Sequence, residues 1–257
     1  MKISIITVNL NNGDGLEKTI QSVLQQQYAN IEYIVIDANS QDRSKDILKK
    51  YEAKINYWVS EPDNGIYNAM NKGIKVATGK YLLFLNSGDC LASIQSISSL
   101  ISINTQSDII YGNLKVQNGM DCFTKYYPTA LSFKYFMDES LPHPATAISK
   151  NLLTQLGLYN EELKIVADWE FLMNAICLNG ASYHHVNEVI AIFNLDGISS
   201  NPKNKGLIQQ ERTTVLNKYY SLFLPDYEKY IEVKKELAIY KTSSIHKLAE
   251  KIRKLLK

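Results

Sequence analysis

Cysteine, proline and long apolar runs are all scarce in this chain, and each scarcity removes a class of protein. Of 257 residues only 3 are Cys and 6 are Pro. Cys90, Cys122 and Cys177 are odd in number and show no C-x-x-C spacing, which argues against a disulfide framework or a structural zinc site and fits a reducing cytosol. The longest apolar run, residues 81–85, falls far short of the roughly 20 residues that span a bilayer. The opening MKISIITVNLNN lacks the long apolar core of a signal peptide. Charge of one sign is missing as well. The 28 basic and 26 acidic residues leave a formal net charge of +2, too even to imply nucleic acid as a partner. What is present is an ordinary globular composition, 45% hydrophobic and 21% charged, in a chain long enough to bury a substantial core.

Three familiar site signatures are also absent. Gly13-Asp14-Gly15 is followed by no third glycine, so the dinucleotide fingerprint fails. The stretch from Gly73 to Gly79-Lys80 is one residue too long for a phosphate-binding P-loop and leads into a strand. No G-x-S-x-G elbow of the serine hydrolases occurs.

The first half of the chain alternates in period. Residues 2–8, 31–36, 56–59 and 81–85 read as strands, rich in β-branched and aromatic side chains. Residues 16–27, 40–53 and 66–77 carry helical spacing, with Leu16, Ile20, Val23 and Leu24 on one face of the first. Alternating strands and helices with near-continuous apolar strands predict an α/β fold, a mostly parallel sheet with helices on both faces. After Asp89 the rhythm changes. Residues 108–111 read as a strand, 113–127 as a hairpin around Asn118-Gly119, 167–178 as a helix and 189–193 as a strand. His184 and His185 are adjacent, so in a strand they face opposite sides and read as structural.

From about residue 205 the sequence reads as helices broken near Pro225. Residues 229–257 hold nine Lys/Arg against three Glu, a net of +6, which leaves −4 on residues 1–228. Tyr240, Ile245, Leu248, Ile252 and Leu255 fall near one face. A basic amphipathic helix of this kind suits peripheral contact with an anionic membrane surface. The alternative is packing on the domain or on a dimer partner in a homo-oligomer. The expected organisation is therefore a domain over residues 1–204, with halves 1–112 and 113–204, and a helical, basic extension over 205–257.

In open parallel sheets ligands bind beyond the carboxyl ends of the strands. The segments there are Thr7-Val8-Asn9, Asp37-Ala38-Asn39-Ser40, Ser60-Glu61-Pro62-Asp63-Asn64-Gly65 and Asn86-Ser87-Gly88-Asp89. Any one of them could be a helix cap. Three acidic segments at successive strand ends point to a site, because carboxylates gathered at one rim repel unless a cation or donor groups sit among them.

The succession SIITVNLN, YIVIDANSQD and SEPDNGIYNAMNKGIKVATGKYLLFLNSGD resembles family 2 glycosyltransferases of the GT-A fold, and in particular bacterial enzymes that build polysaccharide or O-antigen repeats. LPHPATAISK, LGLYNEELKIVADWEFLMNA and FNLDGISS continue the pattern, so the resemblance covers about residues 1–200. It implies an inverting transferase that moves a hexose or N-acetylhexosamine from a UDP-sugar to a glycan acceptor, a lipid-diphosphate-linked one, at the inner face of the cell membrane. On the resemblance, Thr7, Asn9 and Asp37 cradle the nucleoside, Asp63 lies near the donor, and Asn86, Ser87, Gly88 and Asp89 occupy the place of the family's DxD motif. Only Asp89 is acidic there, and it is the expected ligand of Mn²⁺ or Mg²⁺, with a helix cap as the alternative. Asp168 matches the family's catalytic base, with Glu170 as the competing carboxylate. A sugar hydroxyl is a poor nucleophile, and a carboxylate within hydrogen-bond reach takes its proton as the new bond forms. His143 and the loop with Ser199 match positions that meet acceptor or diphosphate, and Trp169 and Tyr67 are candidate lining residues there, because aromatic faces stack on sugars. Asp196 stands where relatives often carry glycine. A non-catalytic sugar-nucleotide-binding protein and a nucleotidyltransferase are the alternatives. The second normally carries a cation in the loop after the first strand, and residues 9–14 hold none.

Overall fold

The computed structural model describes residues 1–101, 106–119, 121–195 and 197–242. Chain order runs β1 (Ile3–Asn9), α1 (Gly13–Leu24), β2 (Ile31–Asp37), α2 (Ser44–Tyr51), β3 (Tyr57–Ser60), α3 (Ile66–Val76), β4 (Tyr81–Phe84), β5 (Cys90–Leu91) and α4 (Ser96–Ile101). It continues through β6 (Ile109–Asn118), β7 (Asp121–Lys125), α5 (Phe133–Asp138), β8 (Thr146–Ser149), α6 (Lys150–Leu156), α7 (Ala167–Cys177), β9 (Tyr183–Asn194), α8 (Lys205–Tyr219) and α9 (Leu224–Thr242).

The β-branched runs become fully buried strands. Ile3, Ile5 and Ile6, Val35 and Ile36, and Leu82 to Leu85 are each at most 1% exposed, as strands covered on both faces require. Among the described residues nine strands form one sheet in the order β3-β2-β1-β4-β8-β6-β9-β5, with β7 paired to β6. β3, β2, β1 and β4 are parallel. β8 runs antiparallel to both β4 and β6, while β6 and β9 are parallel. α1 buries Leu16, Thr19, Ile20 and Val23 on one face, and α3 buries Tyr67, Met70, Asn71 and Ile74. α3 presses close on β1 because position 73 is glycine. A Cβ there would lie 2.5 Å from Ile6 Cγ2.

The chain leaves β1 toward β2 and β3 on one side, then returns to β4 on the other. Connections that part in this way open a crevice beyond the carboxyl ends of β1 and β4. The sequence expectation of a mostly parallel α/β sheet holds. It missed β5, α4, β8, α5 and α6, and it started α2 too early. Residues 40–43 do not join α2, because the Ser40 N–H and hydroxyl are taken by Asp37 and the Gln41 N–H by Asn11. β9 begins at Tyr183, well before the expected start. Cys90, Cys122 and Cys177 are free thiols.

The chain divides into two compact units, Met1–Gln209 and Gln210–Lys257. In the second, α9 starts with Pro225 in its first turn and exposes Tyr230, Val233, Leu237 and Tyr240. Ile245, Leu248, Ile252 and Leu255, the rest of the expected amphipathic face, lie outside the described residues. Among the described residues no helix is long and apolar enough to cross a membrane.

Candidate active site

A cavity of about 630 Å³ fills the crevice. Its walls come from the ends of β1 and β9, the start of α1, the Asp63–Asn64–Gly65 turn with the first turn of α3, residues 86–89, and residues 161–164 and 197–199. Among the described residues its charged side chains are Asp14, Asp63, Asp89 and Glu161 against Lys18 and Lys164, so acid outnumbers base there. An anionic ligand enters such a cavity favourably only with a cation among the carboxylates.

Asp89 is 6% exposed, and its Oδ1 accepts one long bond, 3.2 Å, from the Asn194 N–H. Burial pushes its pKa up to about 7, and that single bond only partly opposes the shift. Asn86 Oδ1, in the same turn, is buried with no hydrogen-bond partner among the described residues. A desolvated carboxylate and an orphaned amide oxygen in one turn are both hard-oxygen donors, the type that fits Mg²⁺ or Mn²⁺, which commonly takes one or two carboxylates plus substrate phosphates. Among the described residues no cluster of three or more His, Cys, Asp or Glu could hold a metal without such help.

The turn that carries Asp89 is built from a distance. Gly88 has φ +106°, a conformation suited to glycine. Its N–H donates to Thr19 Oγ1 at 3.0 Å, and the Thr19 hydroxyl donates to the Asp89 carbonyl at 2.7 Å. Asn12 caps α1 by accepting the Gly15 N–H, while its Nδ2 donates to the Ser87 carbonyl at 3.0 Å. Ser87 Oγ donates back to the Asn12 carbonyl. Gly15 leaves the room this requires, since a Cβ there would fall 2.3 Å from Asn12 Nδ2.

At the β1–β2 rim the register pairs Asn9 with Asp37. Asp37 is wholly buried and accepts four bonds, from Asn9 Nδ2 at 2.7 Å, Ser40 N at 2.9 Å, Ser40 Oγ at 2.6 Å and Ser60 Oγ at 2.6 Å. Those bonds occupy both carboxylate oxygens, and Asp37 does not line the cavity. Its position makes it the clamp that holds Asn9 rather than a direct contact. Asn9 does line the cavity, and its Oδ1 is buried without a partner among the described residues. Thr7 is also wholly buried, 3.1 Å from Tyr33 Oη, and belongs to the sheet core rather than the cavity wall. Asp63 lines the cavity with one oxygen on the Gly65 N–H, which fixes the turn ahead of α3.

Asp168 is half-buried in the first turn of α7. It does not itself line the cavity, but its Oδ1 lies 2.8 Å from the Oη of Tyr67, which does. His143 stacks on Phe84 with centroids 5.2 Å apart, and its Nε2 is 3.2 Å from Tyr159 Oη. Desolvation in this aromatic cluster lowers its pKa, and the charge of Asp168 opposes the shift. The ring is therefore biased toward neutral, and it does not line the cavity. Trp169 departs from the expectation altogether. It is 2% exposed, and its Nε1 donates to the Phe136 carbonyl at 2.8 Å, so its indole packs α7 against α5. Glu170 is buried and does not line the cavity. Ser199 does line it, on an exposed turn. Asp196 lies outside the described residues.

Sequence reading missed Asn12, Lys18, Thr19, Glu161 and Asn194. Glu161 accepts from Asn68 and Asn71, which hold its pKa below the usual carboxylate range. The Asn12–Gly13–Asp14–Gly15 cap signature could have pointed to Asn12. The others depend on contacts between segments far apart in the chain.

The model of Glycosyl transferase family 2 matches residues 4–154. An uncharacterised glycosyltransferase of Mycobacterium tuberculosis is 34% identical over 178 residues, 67% of this chain and 68% of the relative. A PGL/p-HBAD biosynthesis glycosyltransferase of the same species is 26% identical over 205 residues, 77% of this chain and 78% of the relative. Among solved structures, Staphylococcus aureus TarS 1-349 in complex with UDP-GlcNAc superposes with a TM-score of 0.62 at 22% identity over 76% of this chain. The mannosyltransferase PcManGT from Pyrobaculum calidifontis, in complex with GDP-Man and Mn²⁺, superposes with a TM-score of 0.59 at 13% identity over 77% of this chain. This chain spans 58% of the length of each of those two structures. The two likenesses are in fold, the GT-A arrangement.

Proposed function

We propose a reaction from the premise that this chain belongs to glycosyl transferase family 2 and is a glycosyltransferase. It moves a hexose or N-acetylhexosamine from a UDP-sugar to a glycan acceptor, with inversion at the anomeric carbon. The observation that carries this is the pair Asp89 and Asn86, a buried, under-bonded oxygen set at the wall of a cavity of about 630 Å³. The UDP-GlcNAc of TarS and the GDP-Man and Mn²⁺ of PcManGT support a nucleotide-sugar donor and a divalent ion here.

In this mechanism residues 1–112 supply most of the contacts to the donor. Asn9, clamped by Asp37, offers Oδ1 to an N–H of the base. Asp63 sits near the donor sugar. Lys18, Lys164 and Ser199 are in reach of an anionic diphosphate in the same cavity. Asp89, with Asn86 beside it, would hold Mn²⁺ or Mg²⁺. When bound, the ion acts as a Lewis acid that stabilises the charge of the departing UDP. Asp168, in the half formed by residues 113–204, takes the proton of the acceptor hydroxyl as that oxygen attacks the anomeric carbon. Inversion requires this base on the face opposite the leaving diphosphate, as in the separated carboxylates of inverting hydrolases.

Turnover of a panel of UDP-sugars with Mn²⁺ tests the reaction. Asp168→Asn is expected to lose about 10²–10⁴-fold in kcat while UDP binding persists. Full activity in that variant would remove Asp168 from the chemistry.

The acceptor we propose is a lipid-diphosphate-linked glycan of bacterial surface polysaccharide synthesis, O-antigen or capsule. The tail supports this, because Lys229, Lys234, Lys235 and Lys241 lie on the same stretch as exposed Tyr230, Val233, Leu237 and Tyr240. Sedimentation with anionic vesicles at low salt checks it. Binding should vanish when residues 229–257 are removed, and failure of the full chain to bind would overturn it.

A further inference from the structure

Tyr67 Oη carries one proton and faces two acceptors. The Ile165 carbonyl lies 2.6 Å away and Asp168 Oδ1 lies 2.8 Å away. A hydroxyl cannot donate fully to both, so its direction depends on which acceptor is stronger. The hydroxyl does not ionise at working pH, because burial and then the charge of Asp168 raise its pKa well above the ordinary value. Its ring is 5% exposed and wedged against Tyr159, with centroids 5.6 Å apart, so only the O–H bond is free to turn. The titratable groups that sense the charge of Asp168 are Tyr67, His143 and Tyr159. His143 and Tyr159 are within hydrogen-bond distance of one another, which leaves Tyr67 as the partner of the carboxylate.

We propose that Tyr67 is a positioning residue with a two-way hydroxyl. It donates to Asp168 Oδ1 while Asp168 is a carboxylate, and turns to the Ile165 carbonyl once Asp168 has taken a proton. This rests on Asp168 being the base. In the first state the bond is charge-assisted, about twice as strong as a neutral one, and it fixes the carboxyl plane. With Oδ1 occupied, Oδ2 is the oxygen that accepts the proton. The acceptor O–H bond breaks, its oxygen bonds to the anomeric carbon, the bond from that carbon to UDP breaks, and the proton stays on Oδ2. Loss of charge weakens Oδ1 as an acceptor, and the Tyr67 proton rotates to Ile165 without leaving its oxygen. When Asp168 Oδ2 releases its proton to solvent, the hydroxyl returns. No buried donor is stranded in either state, which avoids the penalty of an unsatisfied polar group.

A double-mutant cycle tests this on the full-length enzyme with Mn²⁺, a UDP-sugar it turns over and its acceptor. Tyr67→Phe should lower kcat roughly 10- to 100-fold, the size expected for one hydrogen bond to a charged group, with KM for the UDP-sugar and affinity for UDP unchanged. In an Asp168→Asn background the same substitution should cost nothing further. An equal loss in both backgrounds, or a loss that falls on KM, would show that Tyr67 only shapes the cavity and would overturn the proposal. Full activity of Asp168→Asn would overturn the base assignment and this proposal together, so the two failures are distinct. If Tyr67→Phe melts well below the wild type, 3-fluorotyrosine placed at position 67 keeps both bonds with a more acidic hydroxyl. The acid limb of the pH–kcat profile should then move to lower pH, and an unmoved limb would overturn the proposal.

Discussion

Glu32 and Asp89 are carboxylates buried at opposite ends of the same parallel strands, and their surroundings differ in kind. Glu32, at the amino end of β2, accepts from Lys2 Nζ at 2.9 Å, Ser4 Oγ at 2.5 Å, and the N–H and hydroxyl of Thr78 at 2.6 Å and 2.5 Å. Burial pushes its pKa up, but those donors together outweigh burial and bring it to about 2. Asp89, at the carboxyl end of β4, has one backbone donor, and burial carries it to about 7. A carboxylate with all its bonds made holds the fold together. One left short of bonds, at the rim where ligands enter, is free to take them from a ligand.

The difference can be broken from either end. Asp89→Asn removes the starved charge, and transfer with Mn²⁺ should fall roughly 10²–10³-fold. The metal-free variant should nonetheless melt a few degrees above the wild type at pH 8, since a penalised charge has gone. Transfer assays and thermal melts on one preparation check both halves, and a lower melting temperature would contradict the account of Asp89. Glu32→Gln should do the reverse. It should cost about 2 kcal/mol of stability by leaving charged and hydroxyl donors poorly matched, with kcat at low temperature unchanged.

The pH dependence of stability should separate the two groups further. Asp89 has its folded pKa raised from 3.8 to about 7, so its contribution is present below pH 3.8 and is lost as pH rises through 7. Glu32 has its folded pKa lowered from 4.5 to about 2, so its contribution is present above pH 4.5 and is lost as pH falls toward 2. Denaturant melts of the metal-free protein across pH 3–9 should show both slopes. Asp89→Asn should flatten the fall in stability between about pH 4 and 7, and Mn²⁺ should restore stability at and above pH 7 only. The smallest expected effect belongs to the scaffold. Asn12→Ala loosens the turn bearing Asp89 and should raise KM for the donor about threefold to tenfold, read by steady-state kinetics.

The parallel half of the fold is legible because its strands are buried on both faces and its helices carry one apolar stripe. β8 is not, since Thr146–Ser149 is short and sits inside a segment marked by Pro142 and Pro144. The strand-end rule found Asn9, Asp63, Asn86 and Asp89, which do line the cavity. It also picked Asp37, which does not line the cavity, and neither does Trp169, singled out for its aromatic face. Residue type says that a carboxylate or an indole can meet a ligand, but only the packed structure says whether its bonds are already spent. Thr19 was invisible in turn, because its partners Gly88 and Asp89 are about 70 positions away.

α3 spans the proposed donor and acceptor sites. The turn that opens it carries Asp63, its first turn carries Tyr67 beside Asp168, and Asn71 exchanges bonds with Tyr159 at its middle. Gly73 lets it bear directly on Ile6, so it cannot slide without driving into β1. On the proposed mechanism the helix is a ruler that sets the spacing between the two substrates. Chimeras that graft an acceptor half from a relative should work only when residues 62–73 travel with the graft.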